Sequence, residues 1–368
     1  MLSRRSFLAM SSAIITAPSW ATLLQQDAGK KLYASAYSLN KEEHFFGLFD
    51  EKGDIVWNVQ LLDRAHAPVV HPSQSIVGIV ARRPGFFIDF FDVSTHQRIT
   101  RIEPIKEHHF YGHALFTADG NKLITQENHY PSGQGKIFVR EWPSGQVLQS
   151  FSSNGIGPHE SVLLNDQVLV IANGGLMTHP NEDRKILNLD TMRPNVTYLN
   201  LKDGRILNQS ANSDDLHQLS IRHLDVNQQG VVALGFQYQG EMWDQVPLVA
   251  LSRLDQAELE YLPIPEEVRI RFKQYCGSVC FDHSGEILAV STPRGGFVAF
   301  WHVGSKTFLG VENCRDVCGL VATDNAHEFL LTSGTGSQLK SNPVQKVSKE
   351  LKKYTTLHWD NHLRQINT

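Results

Sequence analysis

A repeat runs along most of this 368-residue chain and constrains the fold more than any bulk property does. An anchor residue is followed by a short apolar run, then by a polar turn six and seven positions on, then by a second apolar run. The clearest copies are His113 to Asp119-Gly120, His223 to Gln229-Gly230 and Ser278 to Ser284-Gly285. Weaker copies run from His66 to Pro72-Ser73, from His159 to Asn165-Asp166 and from Cys318 to Asp324-Asn325. After each second run comes a glycine-rich or polar loop, such as Arg82-Arg83-Pro84-Gly85, Asn173-Gly174-Gly175 or Pro293-Arg294-Gly295-Gly296. Several units then continue into a third and fourth strand across a tight turn, as at Trp142-Pro143-Ser144-Gly145. Four short strands per unit of roughly 40 to 50 residues is the spacing of a propeller blade.

The two ends complete the ring. Residues 31–39, 45–50 and 55–61 supply three strands that lack an innermost partner, and residues 359–363 supply one strand that lacks a blade. Pairing them predicts an all-β, seven-bladed β-propeller whose last blade is stitched from both termini, leaving no free sheet edge. Long amphipathic helices are missing; the one helical turn expected, from Pro265 to Tyr275, falls in an insertion between blades.

The N-terminus carries Ser3, Arg4, Arg5, Phe7 and Leu8 ahead of a short apolar stretch, with small residues at Ser19 and Ala21. That is the pattern of a twin-arginine signal cleaved after Ala21, so residues 22–368 are expected to form a single propeller in the periplasm. Hydrophobic residues make up 41% of the chain and charged ones 20%, enough for a sizeable core, and no internal run is long enough to span a membrane. Formal net charge is −4 and becomes more negative without the signal arginines, which argues against nucleic acid or anionic membranes as main partners.

Equivalent positions of the first strands lie at one height around a propeller axis. The anchors therefore form a ring of His66, His113, His159, His223, Ser278, Cys318 and His362. Five imidazoles and a thiol meeting on one axis are the side chains that bind copper, iron, nickel or zinc. His66, His113, His159, His223, His362 and Cys318 are thus candidate metal ligands. A polar, water-filled channel and an anion or substrate site fit the same residues. Positions two earlier share the strand face and add Arg64, Tyr111, Cys276, Asp316 and Asp360.

Loops after the second strands should open beside this ring, placing Arg82, Arg83, Glu127, Asn128, Asn173, Gln237 and Arg294 around its mouth, with Asp316 and Asp360 nearby. Paired arginines with glycine neighbours suit a carboxylate or another anionic group. The insertion at 176–194, with His179 and Arg184, could act as a lid. Cys276, Cys280, Cys314 and Cys318 lie in two neighbouring blades, and an even count in an oxidising compartment favours one or two disulfides. Such a bond would compete with Cys318 as a ligand.

Whole phrases of the chain, among them Ala81-Arg82-Arg83-Pro84-Gly85, His109-Phe110-Tyr111-Gly112-His113, Gly157-Pro158-His159-Glu160, Ser220-Ile221-Arg222-His223-Leu224 and Trp359-Asp360-Asn361-His362, resemble the uncharacterised family known as domain of unknown function 1513. These are twin-arginine-exported propellers of the lactonase-like superfamily, and the likeness covers nearly all of residues 22–368. It implies a role in periplasmic iron or copper handling, with imelysin-like and di-haem oxidoreductase-like proteins as partners; zinc is the less favoured ion. A metal-binding protein is the leading expectation. A metal-dependent redox enzyme, a lactonase-like hydrolase and a protein-interaction scaffold are the alternatives. The hydrolase usually wants acidic ligands for a hard cation, and the anchor column contains none.

Overall fold

The turn that marks each repeat has a physical reason to be glycine. Gly120, Gly230 and Gly285 sit at the second turn position with φ of 73°, 73° and 74°, the left-handed region that a side chain disfavours. Each lets the innermost strand fold straight back along the second strand, and the remaining two strands follow as a meander.

The computed structural model describes residues 31–182 and 185–366. The twin-arginine segment at residues 1–21 and Arg184 lie outside the described residues. Seven antiparallel sheets follow one another in chain order. The first six occupy residues 65–102, 108–152, 158–211, 219–261, 278–313 and 317–353, each a four-stranded meander. The seventh is composite: Leu32–Ser38, His44–Asp50 and Ile55–Leu61 are its outer strands, and its inner edge is His358–Trp359 together with Arg364–Ile366. The expected closure by both termini is therefore what the chain adopts. The insertion before the fifth blade carries a single helical turn at Glu266–Arg271, as the sequence suggests. No described helix is long and apolar enough to cross a membrane.

Aromatic residues fill the wedge between adjacent blades. Phe90, Phe116 and Trp142 interlock between the first two, with ring centroids 4.6 to 5.6 Å apart. At the closure, Trp359 packs 5.1 Å from Phe49 and 5.5 Å from Tyr37, and only 2% of its surface is exposed. A two-residue inner strand contributes few ladder bonds, so the closing blade depends on this burial.

The inner strands also deviate from regular alternation at the place where the site forms. Register shifts interrupt pairing between Ala65 and Pro68, Phe110 and Ala114, Pro158 and Glu160, Ile221 and His223, and Val317 and Gly319. Five of the six continuous blades thus carry a bulge at or beside the anchor. A bulge adds a residue opposite one partner and re-aims its side chain, which turns the anchors toward the axis.

Truncating the closing aromatic should show how much the seam matters. Trp359→Ala is expected to cost about 3–5 kcal/mol, read as a lowered urea midpoint. A loss under about 1 kcal/mol would show that the closure is held by something else.

Candidate metal centre

All five anchor histidines meet. Ring centroids of neighbours are 4.9 Å apart for His66 and His113, 5.0 Å for His113 and His159, 4.8 Å for His159 and His223, 4.8 Å for His223 and His362, and 4.6 Å for His362 and His66. Every ring is buried. Two sets of three offer nitrogen atoms within 4.8 Å of one another: His66, His113 and His362, and His113, His159 and His223. His113 belongs to both.

Close approach of backbone makes this crowding possible. Gly112 has φ of 107°, and a Cβ there would stand 2.5 Å from the His66 ring. His362 lies between the two short strands of the closing blade with φ of 69°. Its carbonyl accepts a hydrogen bond from Ser35 Oγ at 2.9 Å, which ties this unusual backbone to the N-terminal strand.

Hydrogen bonds fix which nitrogen three of the rings present. His113 Nδ1 and His223 Nδ1 lie 3.2 and 3.0 Å from the two carboxylate oxygens of Glu160. A carboxylate only accepts, so both rings donate from Nδ1 and keep the Nε2 lone pair. His362 Nδ1 is 3.1 Å from Ser278 Oγ, whose own proton goes to the Cys318 carbonyl at 3.0 Å. With that hydroxyl committed, His362 also donates from Nδ1 and keeps its Nε2 lone pair. His113 Nε2, His362 Nε2, His159 Nδ1 and both nitrogens of His66 are buried with no hydrogen-bond partner.

Electrostatics keep four of the rings neutral. Burial, then the neighbouring histidines, holds His66 and His362 well below the usual imidazole range. His159 is held down by burial and then by Arg222. His223 is lowered by burial to about 4 even though Glu160 pulls the other way. Burial opposes ionisation of Glu160, but His113 and His223 outweigh it and keep the carboxyl well below its ordinary value. Glu160 is thus a buried carboxylate that orients two of the rings, the outer partner that metal-binding histidines usually have.

Glu160 corrects the expectation of an acid-free column. The bulge between Pro158 and Glu160 makes two successive residues face the axis, where strand alternation allows only one. Arg364 Nη2 stands 3.4 Å from Glu160 Oε1, so this carboxylate is fully engaged. Arg222 escaped notice for the same reason: the bulge between Ile221 and His223 turns it inward beside His223.

A cavity of about 290 Å³ lies on one side of the histidine layer, against His66, His159 and His223. Arg82, Arg83, Gln237 and Arg294 from the expected rim line it, as do Leu176 and Ile186 of the expected lid. A second cavity, about 280 Å³, lies further along the inner strands and is lined by His113, Glu160 and Arg364. Asp360 is buried between Arg64, which hydrogen-bonds it, and Arg82 at 3.8 Å. Asp316 lies with Arg64 and Cys318 on an adjoining groove that shares Arg82 and Arg294 with the first cavity.

Three expected rim residues are held inside blades. Glu127 accepts from Arg140 Nη2 at 2.6 Å and Thr125 Oγ1 at 2.8 Å. Asn128 donates to the Thr178 carbonyl at 3.1 Å and lies 3.0 Å from His109 Nε2. Asn173 donates to the Ser153 carbonyl and Asn195 Oδ1, both at 2.9 Å. Cys318 stands at its anchor position outside both histidine sets, its thiol directed to the Asp316 carbonyl at 3.0 Å and raised by burial well above the usual thiol value. The expected disulfides are not formed: all four cysteines are buried free thiols. Cys276 and Cys280 point to different carbonyls, those of Leu248 and Phe281.

Fold and site together define a seven-bladed propeller with a histidine-lined axis. The chain belongs to the family described as Protein of unknown function (DUF1513), whose model matches residues 59–366. No curated protein matches it in sequence. Among solved structures it is similar to hydrazine synthase of Kuenenia stuttgartiensis, at 11% identity and a TM-score of 0.60, over 86% of this chain and 94% of that one. It is also similar to a chain in a structure of the mitotic checkpoint complex, at 10% identity and a TM-score of 0.56, over 82% of this chain and 77% of that one. At such identities the likeness is one of fold alone.

Acid should destabilise the metal-free protein through the buried rings. His66, His159, His223 and His362 have folded-state pKa values below the unfolded value near 6.5. Between about pH 6.5 and 4 the unfolded chain therefore binds more protons, and stability falls as pH falls. The slope is at most about 1.4 kcal/mol per pH unit for each histidine. Urea titrations across that window should show the decline; a flat profile would mean the rings protonate freely in the native state.

Proposed function

We propose that this protein is a periplasmic metal-binding propeller that holds a transition-metal ion, copper or iron before zinc, on its axial histidines. The observation that carries the reading is the set of buried imidazole nitrogens without hydrogen-bond partners at His66, His113, His159 and His362. A buried polar atom left unsatisfied costs on the order of 1–3 kcal/mol, and several converge within 4.8 Å of one another. An ion with affinity for imidazole relieves that cost at each nitrogen it binds.

This chain's own residues supply the preparation. Glu160 holds His113 and His223 with Nε2 presented, and Ser278 does the same for His362. Burial keeps His66, His159, His223 and His362 deprotonated, so protons compete little for their lone pairs near neutral pH. Bound ion would add Lewis-acid or redox character to the site. The twin-arginine segment supports export, and the family resemblance supports iron-handling partners of the imelysin-like and di-haem oxidoreductase-like kinds.

Elemental analysis of protein isolated from the periplasm tests the proposal. At least one copper or iron per chain is expected, and His113→Ala should remove it because His113 belongs to both sets. Glu160→Gln should weaken affinity about 10–100-fold while leaving the fold intact. Sub-stoichiometric metal that is unchanged in His113→Ala and His223→Ala proteins would overturn the assignment.

A further inference from the structure

The second blade carries a pair of histidines outside the axial ring. Its inner strand, His108–Phe116, begins opposite the end of the next strand, Lys122–His129, and His108 and His129 are direct cross-strand partners. Opposed residues of an antiparallel pair project from the same face, and the two rings lie with centroids 4.9 Å apart and planes inclined by 39°. Both residues are half-buried. Phe138 packs edge-on against the His108 ring at 5.4 Å, which restricts its rotation.

Local hydrogen bonds leave the same nitrogen to each ring. His108 Nδ1 lies 2.9 Å from the Lys106 carbonyl. A carbonyl only accepts, so the neutral ring donates from Nδ1 and keeps its lone pair on Nε2. His129 Nδ1 is 2.7 Å from Ser132 Oγ, and a hydroxyl accepts there as readily as it donates, so this ring can present Nε2 as well. The spacing suits a shared ion. With metal–nitrogen bonds of about 2.0 Å and a further distance of about 1.1 Å to each ring centre, centroids 4.9 Å apart subtend about 100° at the ion. That angle lies between those of square-planar copper and tetrahedral zinc. His179, on the neighbouring insertion, is oriented differently: its Nδ1 accepts from the Asn181 N–H at 3.2 Å, which puts the proton of the neutral ring on Nε2. Among the described residues no third histidine, cysteine or carboxylate joins the pair.

We propose that His108 and His129 form a second metal site, which takes a borderline divalent ion, copper before nickel or zinc, through two adjacent coordination positions. Water or a chelating small molecule fills the remaining positions, so the site accepts a metal that arrives already chelated. The pair shares no residue with the axial ring, and the inference stands whether or not the axis binds metal.

Titration of metal-free purified protein with copper(II) nitrilotriacetate, a chelate that keeps two adjacent positions open, tests it by electron paramagnetic resonance. One chelate per chain is expected to bind in the micromolar range, with coupling to two imidazole nitrogens. His108→Ala and His129→Ala should each weaken binding tenfold or more, because a single imidazole loses the gain of two held together. His179→Ala should bind like the parent. Failure of the chelate to bind below millimolar concentration would overturn the proposal. So would binding unchanged in His108→Ala or His129→Ala proteins that keep parental circular dichroism.

Discussion

Five imidazoles share the axis of this propeller with neighbouring ring centroids 4.6 to 5.0 Å apart, and such crowding is tolerable only if the rings stay uncharged. Two protonated rings at that spacing, away from water, would repel by several kcal/mol. Neutrality is thus a condition of the fold as well as of the site. Burial enforces it at His66, His159, His223 and His362, and Glu160 is placed where it holds His113 and His223 by Nδ1. A carboxylate in contact with imidazole would ordinarily favour imidazolium. Here desolvation of His223 wins, leaving it near 4.

The geometry that allows this is a departure from regular sheet. An unbroken inner strand would present alternate residues to the axis, spaced too widely along it to form one compact layer. The bulges at the anchors let His159 with Glu160, and Arg222 with His223, face inward as neighbours. Gly112 supplies the close approach that lets the His66 ring lie against the next blade. Both devices weaken local pairing, and the wedges of aromatic residues between blades offset the loss.

Much of the architecture could be read from the chain because a propeller writes its period into the sequence. Anchor, turn glycine and loop recur at the same offsets, and the unmatched strands at the two ends specify the closure. The histidine ring followed directly, since equivalence in the repeat means equal height on the axis. Glu160 and Arg222 were not legible because each is adjacent to an anchor, and a rule of alternating faces assigns it to the blade interior. The opposite error affected Glu127, Asn128 and Asn173: they follow the second strand as a rim residue should, yet their partners Arg140, Thr178 and Ser153 lie within or between blades. Repeat position fixes height, whereas local hydrogen bonding decides direction.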